Sequence, residues 1–284
     1  MPIRPAAVAG TWYPGSAGAL SREVDQYVDA AADGPYGLVR AIIAPHAGIM
    51  FSGPVGAYAY RTVALNEDRA DYDVAVLVGP SHFVAFEGVS IYPEGAFETP
   101  LGLASIDAPT AVAIARADIV RPLTNAHVRE HSLEMQLPFL KRLLPDLPIV
   151  PLLMGHQTRA TIERLAAALA AALAGRRALI VASTDLSHYF DSRKAETLDR
   201  EVRECVQAFD DERLLSVFER YPDEERGRHV GCGIGPALAV MKAARALGAS
   251  DARVLKYGHS GEISGDNSGV VGYMAAAIGT FDAD

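Results

Sequence analysis

Three short, largely apolar runs rich in Val, Ile and Leu most constrain how this chain folds. They are LVRAIIA (38–44), DVAVLVG (73–79) and RALIVAS (177–183). Strands that are apolar on both faces are typical of parallel sheets covered by helices on both sides. Because stretches of helical periodicity separate the runs, we predict an α/β sandwich with a central mostly parallel or mixed sheet flanked by helices. No Pro-, Gly- or Ser-rich linker interrupts it, so we expect a single domain over residues 1–284.

Weaker patterns extend this sheet and its helical layers. Four further segments are strand-like: GVSIY, nearer an edge, then LPIVPLLMG, ARVLKYG and SGVVGYMAAAIG. Helical spacing follows Ser16 and recurs in GPVGAYAYRTVAL, in TRATIERLAAALAAALAG and in two stretches between Arg193 and Arg220. The segment HSLEMQLPFLKRLL has an apolar helical face, but Pro138 inside it predicts a kink or a late start. A last helix is predicted over 235–247.

Charge and cysteine content narrow the classes of partner. The formal net charge of −9 and the lack of a Lys/Arg-rich run argue against nucleic-acid binding. No apolar stretch reaches the roughly 20 residues of a membrane helix, and the start of the chain lacks a secretory pattern. Two cysteines do not make a disulfide framework in a chain of this length. We therefore expect a soluble cytoplasmic protein with reduced thiols and neither nucleic-acid nor membrane partners.

Polar residues follow each of the three apolar runs at the point where it ends. The runs continue into PH, PSH and TDLSH, which contain His46, His82, Asp185 and His188. In open α/β sheets the carboxyl ends of parallel strands form one crevice, where ligands bind. If the three strands are parallel neighbours, these side chains share one rim. Neutral imidazoles on rigid strand ends suit metal binding or proton transfer.

Two histidines rarely complete a metal site, and Cys232 in HVGCGIGP is the candidate for a third ligand. Glycines flank it on both sides, which permits close backbone approach. It precedes a predicted helix, whose N-terminal dipole is expected to lower the pKa of the thiol. The other cysteine, Cys205, lies on an apolar helical face with Val202 and Phe209, so we interpret it as a core residue.

Several polar residues have two interpretations. His131 and Glu134 in EHSLEMQLPF form either a buried polar pair beneath the site or part of its lining, and the motif is not the HExxH of zinc proteases. Trp12 and Tyr13 either line a groove or pack across the sheet edge. The Gly/Ser-rich loop KYGHSGEISGDNSG is expected to border the site, and its polar residues are His259, Glu262 and Asp266. The sequence GCGIG lacks the spacing of a dinucleotide-binding turn, and GxSxG is absent.

The sequence resembles the Memo family, the protein B component of the AmmeMemoRadiSam system of bacteria and archaea. The matching segments cover nearly the whole chain in order: AGTWYPG, PHAGIMFSGPVGAYAY, LVGPSHF, EHSLEMQLPFL, STDLSHY, GCGIGPAL and SGDNSGVVGYMA. The resemblance implies a fold like that of the class III extradiol dioxygenases, which are non-haem Fe(II) enzymes. It also implies an AMMECR1-domain protein and a radical SAM protein as partners.

The resemblance further implies a role for each matching site residue. His46 and His82 correspond to the two metal-binding histidines, and His188 to an acid/base histidine. Cys232 stands where the dioxygenases have a carboxylate ligand, and Asp185 corresponds to a further site residue. A thiolate softens the site, so Fe(II) is the first expectation, with copper or zinc more competitive than in the dioxygenases. The same exchange puts ring-cleaving activity in doubt.

Three hypotheses follow for the function. The first is a metal-dependent redox protein in which His46, His82 and Cys232 hold iron or copper while His188 and Asp185 assist. The second is a vestigial site that binds a peptide or small anionic ligand without turnover, with Trp12, Tyr13, His131 and Asp266 as contacts. The third is a Cys–His hydrolase with Cys232 as nucleophile. The sequence leaves the substrate, the native metal and the oligomeric state open.

Overall fold

The computed structural model describes residues 2–66 and 71–282. Its strands are β1 Ile3–Arg4, β2 Gly37–Ala44, β3 Val74–Pro80, β4 Val89–Ile91, β5 Ala96–Thr99, β6 Gly102–Ser105, β7 Val120–Arg121, β8 Ile149–Met154, β9 Ala178–Ser183, β10 His188–Phe190, β11 Asp251–His259 and β12 Val270–Phe281. Its α-helices are α1 Ala17–Ala30, α2 Ile49–Leu65, α3 Ala108–Ile114, α4 Leu137–Leu143, α5 Arg159–Leu173, α6 Ser192–Gln207, α7 Asp211–Glu219, α8 Asp223–His229, α9 Ile234–Ala246 and α10 Gly261–Ser264. Short 3₁₀ turns span Thr124–His127 and Glu134–Gln136.

Within the described residues, nine strands form one mixed sheet: eight follow the order β10-β12-β2-β9-β3-β8-β4-β7, and β11 lies off this path and pairs with β12. The central strands β2, β9, β3 and β8 are parallel to one another. Strand β12 runs antiparallel to β2, and β4 runs antiparallel to β8. The three apolar runs are therefore parallel neighbours, in the spatial order β2-β9-β3. The predicted α/β sandwich with a mixed sheet is confirmed.

Successive side chains of the central strands point to opposite faces of the sheet, and both faces are buried. Ile43 packs on the face covered by helices α3, α5, α6, α7 and α9. Its neighbour Ile42 packs on the face covered by α1, α2 and α4. The period of two along a strand produces this division, and burial of each such side chain stabilises the fold by about 1.5–3 kcal/mol. The central strands are thus buried on both faces, and their carboxyl ends lie together at one edge of the sheet.

In the segment that contains Pro138, the helix starts late instead of being kinked, which is one of the two outcomes predicted from the sequence. A 3₁₀ turn occupies Glu134–Gln136, and α4 begins at Leu137 with Pro138 in its first turn, where a missing N–H leaves no hydrogen bond unmade. A small sheet of order β1-β5-β6 was not predicted. Its strands have only two to four residues each, too few for a periodic pattern. In the described part of the chain, no helix has the length and apolar character needed to cross a membrane.

Candidate functional site

A cavity of about 520 Å³ opens at the carboxyl edge of the central sheet. The strand-end residues predicted to share one rim all lie in its wall, together with residues of the N-terminal segment, of β12 and of the segment around α8. The lining comprises Trp12, His46, Ala47, Gly48, His82, His131, Asp185, His188, Tyr189, Gly227, Arg228, Cys232 and Val271. Parallel pairing of β2, β9 and β3 brings the polar ends of these strands to one place.

His46 follows β2 and is almost completely buried. Its Nδ1 lies 2.9 Å from the hydroxyl oxygen of Ser183. That hydroxyl donates its one hydrogen to the carbonyl of Ser132 at 2.6 Å, so it must accept the hydrogen of His46 Nδ1. The Nε2 atom of His46 therefore carries the lone pair, which accepts the thiol hydrogen of Cys232 at 3.2 Å.

His82 follows β3, and the buried carboxylate of Glu130 holds it. Its Nδ1 lies 2.8 Å from Glu130 Oε1, and its backbone N–H donates to Oε2 at 2.6 Å. The same carboxylate accepts the backbone N–H groups of His131 and Ser132, each at 2.9 Å. Since a carboxylate only accepts, His82 Nδ1 carries a hydrogen, and in the neutral tautomer the lone pair lies on Nε2. A carboxylate that orients a histidine in this way is typical of metal sites.

Three imidazoles converge in the cavity. His82 and His131 stack with ring centroids 4.5 Å apart, and His46 meets them edge-on at 5.2 and 5.5 Å. The potential ligand atoms of the three residues all lie within 4.8 Å of one another. One small cation could therefore be reached by all three. His131 was predicted either to line the site or to lie beneath it, and the structure places it in the lining.

Burial keeps two of these imidazoles neutral. Burial, reinforced by the neighbouring His82, lowers the pKa of His46 well below its usual range. Burial, together with the neighbouring His46 and His82, lowers the pKa of His131 to about 4. Burial alone would raise the pKa of Glu130, but the hydrogen bond and charge of His82 and the surrounding N–H groups lower it to about 2. At neutral pH the imidazoles of His46 and His131 are neutral and the Glu130 carboxylate is ionised, so metal binding there does not require His46 or His131 to lose a proton.

Cys232 and Asp185 both contact His46: Cys232 contacts its imidazole, and Asp185 contacts its backbone. The Asp185 carboxylate accepts the backbone N–H of His46 at 2.7 Å and of Ala47 at 3.3 Å, so it fixes the turn after β2. Burial raises the pKa of Asp185. The expectation that a helix dipole lowers the pKa of Cys232 is wrong. Burial, with the Asp185 charge adding to it, raises the pKa of this thiol, because desolvation of a thiolate outweighs the helix terminus.

His188 enters the cavity wall from β10. Its Nδ1 is buried and has no hydrogen-bond partner among the described residues. The preceding residue, Ser187, donates its N–H to the buried Asp199 at 3.0 Å, and its carbonyl accepts the N–H of Gly272 at 3.0 Å. The backbone directly before His188 is therefore fixed by hydrogen bonds, and the imidazole of His188 forms part of the cavity wall.

Residues 4–277 match the family described as Memo-like protein. The chain belongs to the Memo family. A MEMO1 family protein of Methanothermobacter thermautotrophicus is 36% identical over 282 residues, which cover 95% of this chain and 98% of that protein. A MEMO1 family protein of Methanopyrus kandleri is 35% identical over 285 residues, covering 96% and 97%. The crystal structure of an uncharacterized protein from Escherichia coli K12 aligns with a TM-score of 0.47 and 15% identity, over 85% of this chain and all of that one.

In this Memo family chain, two of the residues proposed as ligand contacts lie in the cavity wall and two lie elsewhere. Trp12 packs against His131 with ring centroids 4.4 Å apart. Tyr13 is buried outside the lining, because its hydroxyl donates to Glu134 at 2.6 Å. Asp266 also lies outside it, since its carboxylate closes its own loop by accepting from Ser268 at 2.7 and 2.9 Å.

Sequence reasoning missed two residues that support the Memo family site. Glu130 orients His82, and the signal was a carboxylate directly before His131 in the matched motif. Gln157 donates to the carbonyl of Cys232 at 2.6 Å and accepts the N–H of Gly235 at 2.8 Å. It follows β8 by three residues, so the strand-end rule that indicated the histidines would have indicated it too.

Proposed function

We propose that this Memo family chain binds a redox-active metal ion with His46, His82 and a third ligand from the same cavity. The observation that supports the proposal is the convergence of three imidazoles whose ligand atoms lie within 4.8 Å. Fe(II) is the first candidate, followed by copper and zinc, since imidazole ligands suit all three. Both His131 and Cys232 are candidates for the third position. Cys232 contacts His46, while His131 stacks on His82.

The hydrogen bonds of His46 and His82 orient both imidazoles in a way that suits metal binding. Ser183 and Glu130 accept the Nδ1 hydrogens, so the Nε2 lone pairs of His46 and His82 are available to a cation. When bound, iron or copper would supply one-electron chemistry to a ligand held in the cavity. His188 lines the same cavity, and its imidazole would hold or move a proton of that ligand. Asp185 positions the backbone of His46.

Elemental analysis of protein purified without oxygen tests this proposal. Near-stoichiometric metal in the wild type, lost in H46A and H82A, is the expected result. H156A is the matched control, because His156 is exposed and lies outside this cavity. C232S and H131A then separate the two candidates for the third ligand. Unchanged metal content in H46A and H82A would refute the proposal.

A second candidate function is a site that binds a peptide or small ligand without turnover. The observation that favours it is an exposed aromatic border: Trp12 and Tyr189 line the cavity with 38% and 70% of their surfaces exposed. Exposed apolar surface beside a cavity is typical of binding sites. Ligand binding that survives removal of the metal, without oxygen uptake, would support it. AMMECR1-domain and radical SAM proteins are the partners to test by co-purification.

A further inference from the structure

One cationic side chain lies in the wall of the site without a counter-charge. Arg228, near the end of α8, lines the cavity. Its guanidinium lies 4.6 Å from the ring centroid of Phe190, which orients it. Among the described residues, no carboxylate oxygen lies within 4.0 Å of it. The other residues of the cavity wall include no lysine or arginine.

The charged neighbours of Arg228 on α8 pair with carboxylates, whereas Arg228 does not. Arg226 forms an ion pair with Asp223 on the same helix. His229 lies 3.6 Å from a carboxylate oxygen of Glu225. Among the described residues of the cavity wall, Arg228 is therefore the one side chain that carries a permanent positive charge. A guanidinium held beside an aromatic ring, with its donors free, is suited to an anion.

The remaining walls favour a flat, apolar body. Trp12 and Val271 contribute apolar surface, and the ring of Trp12 is held against His131 at 4.4 Å. Tyr189 has a φ of 62°, a left-handed conformation that is strained for a non-glycine residue. Strained residues of this kind cluster at ligand sites, and here the strain presents the Tyr189 ring at the cavity mouth.

We propose that the cavity selects a planar, apolar ligand that carries one carboxylate, with Arg228 as the specificity-determining residue that binds it. The inference deepens the proposed function and rests on it, because it assigns a substrate class to the same site. One guanidinium matches one carboxylate in a bidentate pair. Phosphate groups are typically bound by several arginines, and here Arg228 shares the cavity with the Asp185 carboxyl instead.

The single tryptophan of the chain makes the test direct. Trp12 is the one tryptophan in the sequence and lies in the cavity wall, so its fluorescence reports occupancy. We would titrate the metal-loaded protein with benzoate, with the neutral isostere benzamide and with phenyl phosphate, correcting for inner-filter absorption. Benzoate should give a saturable change with a dissociation constant about tenfold below that of benzamide, as expected for one partly exposed charge-assisted contact.

Two arginine variants separate direct contact from general electrostatics. R228Q should weaken benzoate binding about tenfold and leave benzamide binding unchanged, while R228K should retain part of the preference. R129Q is the matched control: Arg129 is exposed, stacks on Phe83 near His131 and also lacks an ion pair among the described residues, but lies outside the lining. It should change benzoate binding less than about threefold, because its charge acts only through solvent.

The proposal is overturned by any of four results: no saturable signal, equal binding of benzoate and benzamide, equal losses in R228Q and R129Q, or tighter binding of phenyl phosphate than of benzoate. Metal content measured on the same samples separates the two proposals. If the protein retains metal but does not prefer benzoate, the carboxylate-ligand proposal is rejected and the metal-site proposal stands. If protein that binds no metal still prefers benzoate to benzamide, the metal-site proposal is rejected and the carboxylate-ligand proposal stands.

Discussion

Glu134 provides a direct test of how the site is anchored, because its carboxylate is completely buried and accepts from several groups. It forms an ion pair with Arg4 and accepts the Tyr13 hydroxyl at 2.6 Å. It also accepts the N–H groups of Ala7 at 2.8 Å and Val8 at 3.0 Å. We predict that E134Q lowers the free energy of unfolding by about 3–5 kcal/mol, because it leaves the buried Arg4 charge without a counter-charge.

A double-mutant cycle isolates the ion pair from the rest of the network. R4M should lose a similar amount of stability, since it leaves the Glu134 charge unpaired. The variant with both changes should lose at least about 1 kcal/mol less than the sum, because neither charge then remains alone. E23Q is the control: Glu23 accepts the Tyr27 hydroxyl at 2.9 Å in a more exposed place and should lose less than about 1 kcal/mol.

The assay is urea denaturation followed by far-ultraviolet circular dichroism and by Trp12 fluorescence in parallel. The two probes separate global unfolding from local release of the N-terminal segment, in which Trp12 lies one residue before Tyr13. A loss below about 1 kcal/mol in E134Q, or strict additivity in the double variant, would show that the buried pair does not anchor this segment.

Three further predictions address the surroundings of the site. Burial lowers the pKa of His127 to about 3, so the stability that the neutral imidazole contributes is complete above the usual histidine pKa and is lost as pH falls. In H127Q the urea midpoint should therefore decline less steeply between pH 7 and pH 4 than in the wild type. A Cβ at Gly272 would lie 1.9 Å from Asp199 Oδ2, so G272A should lose roughly 1–3 kcal/mol in the same assay. Q157A removes the 2.6 Å hydrogen bond to the Cys232 carbonyl, so iodoacetamide should label Cys232 several-fold faster; unchanged labelling would refute the role of Gln157.

Much of the site could be predicted because it depends on local sequence patterns. The apolar runs identify strands buried on both faces, and parallel strands place their carboxyl ends together. That argument alone joined His46, His82 and Asp185, and the structure places all three in one cavity wall. The prediction was correct because the pattern of apolar side chains identifies the buried strands. Residues that directly follow parallel strands then lie at one edge of the sheet.

Residues that reach the site through loops were harder to predict. The backbone N–H of His82 donates to the Glu130 carboxylate across 48 positions of sequence, and this contact depends on how the loop after the 3₁₀ turn Thr124–His127 packs. The direction of the pKa shift of Cys232 was wrongly predicted for a related reason. A helix start is visible in the sequence, whereas the burial that raises the pKa of the thiol depends on the whole tertiary structure.

The N-terminal segment and the histidine cluster are connected through the same buried charges. Besides its ion pair with Glu134, Arg4 donates to the carbonyl of His127 at 2.7 Å and to the carbonyl of Glu130. Arg4 therefore holds the loop whose Glu130 carboxylate orients His82, while Glu134 holds the segment that carries Trp12. A change at either charge should disturb both walls of the cavity. In E134Q, the fluorescence change of Trp12 and the loss of bound metal should consequently occur together, and a fluorescence change with full metal content would show that the two walls are held independently.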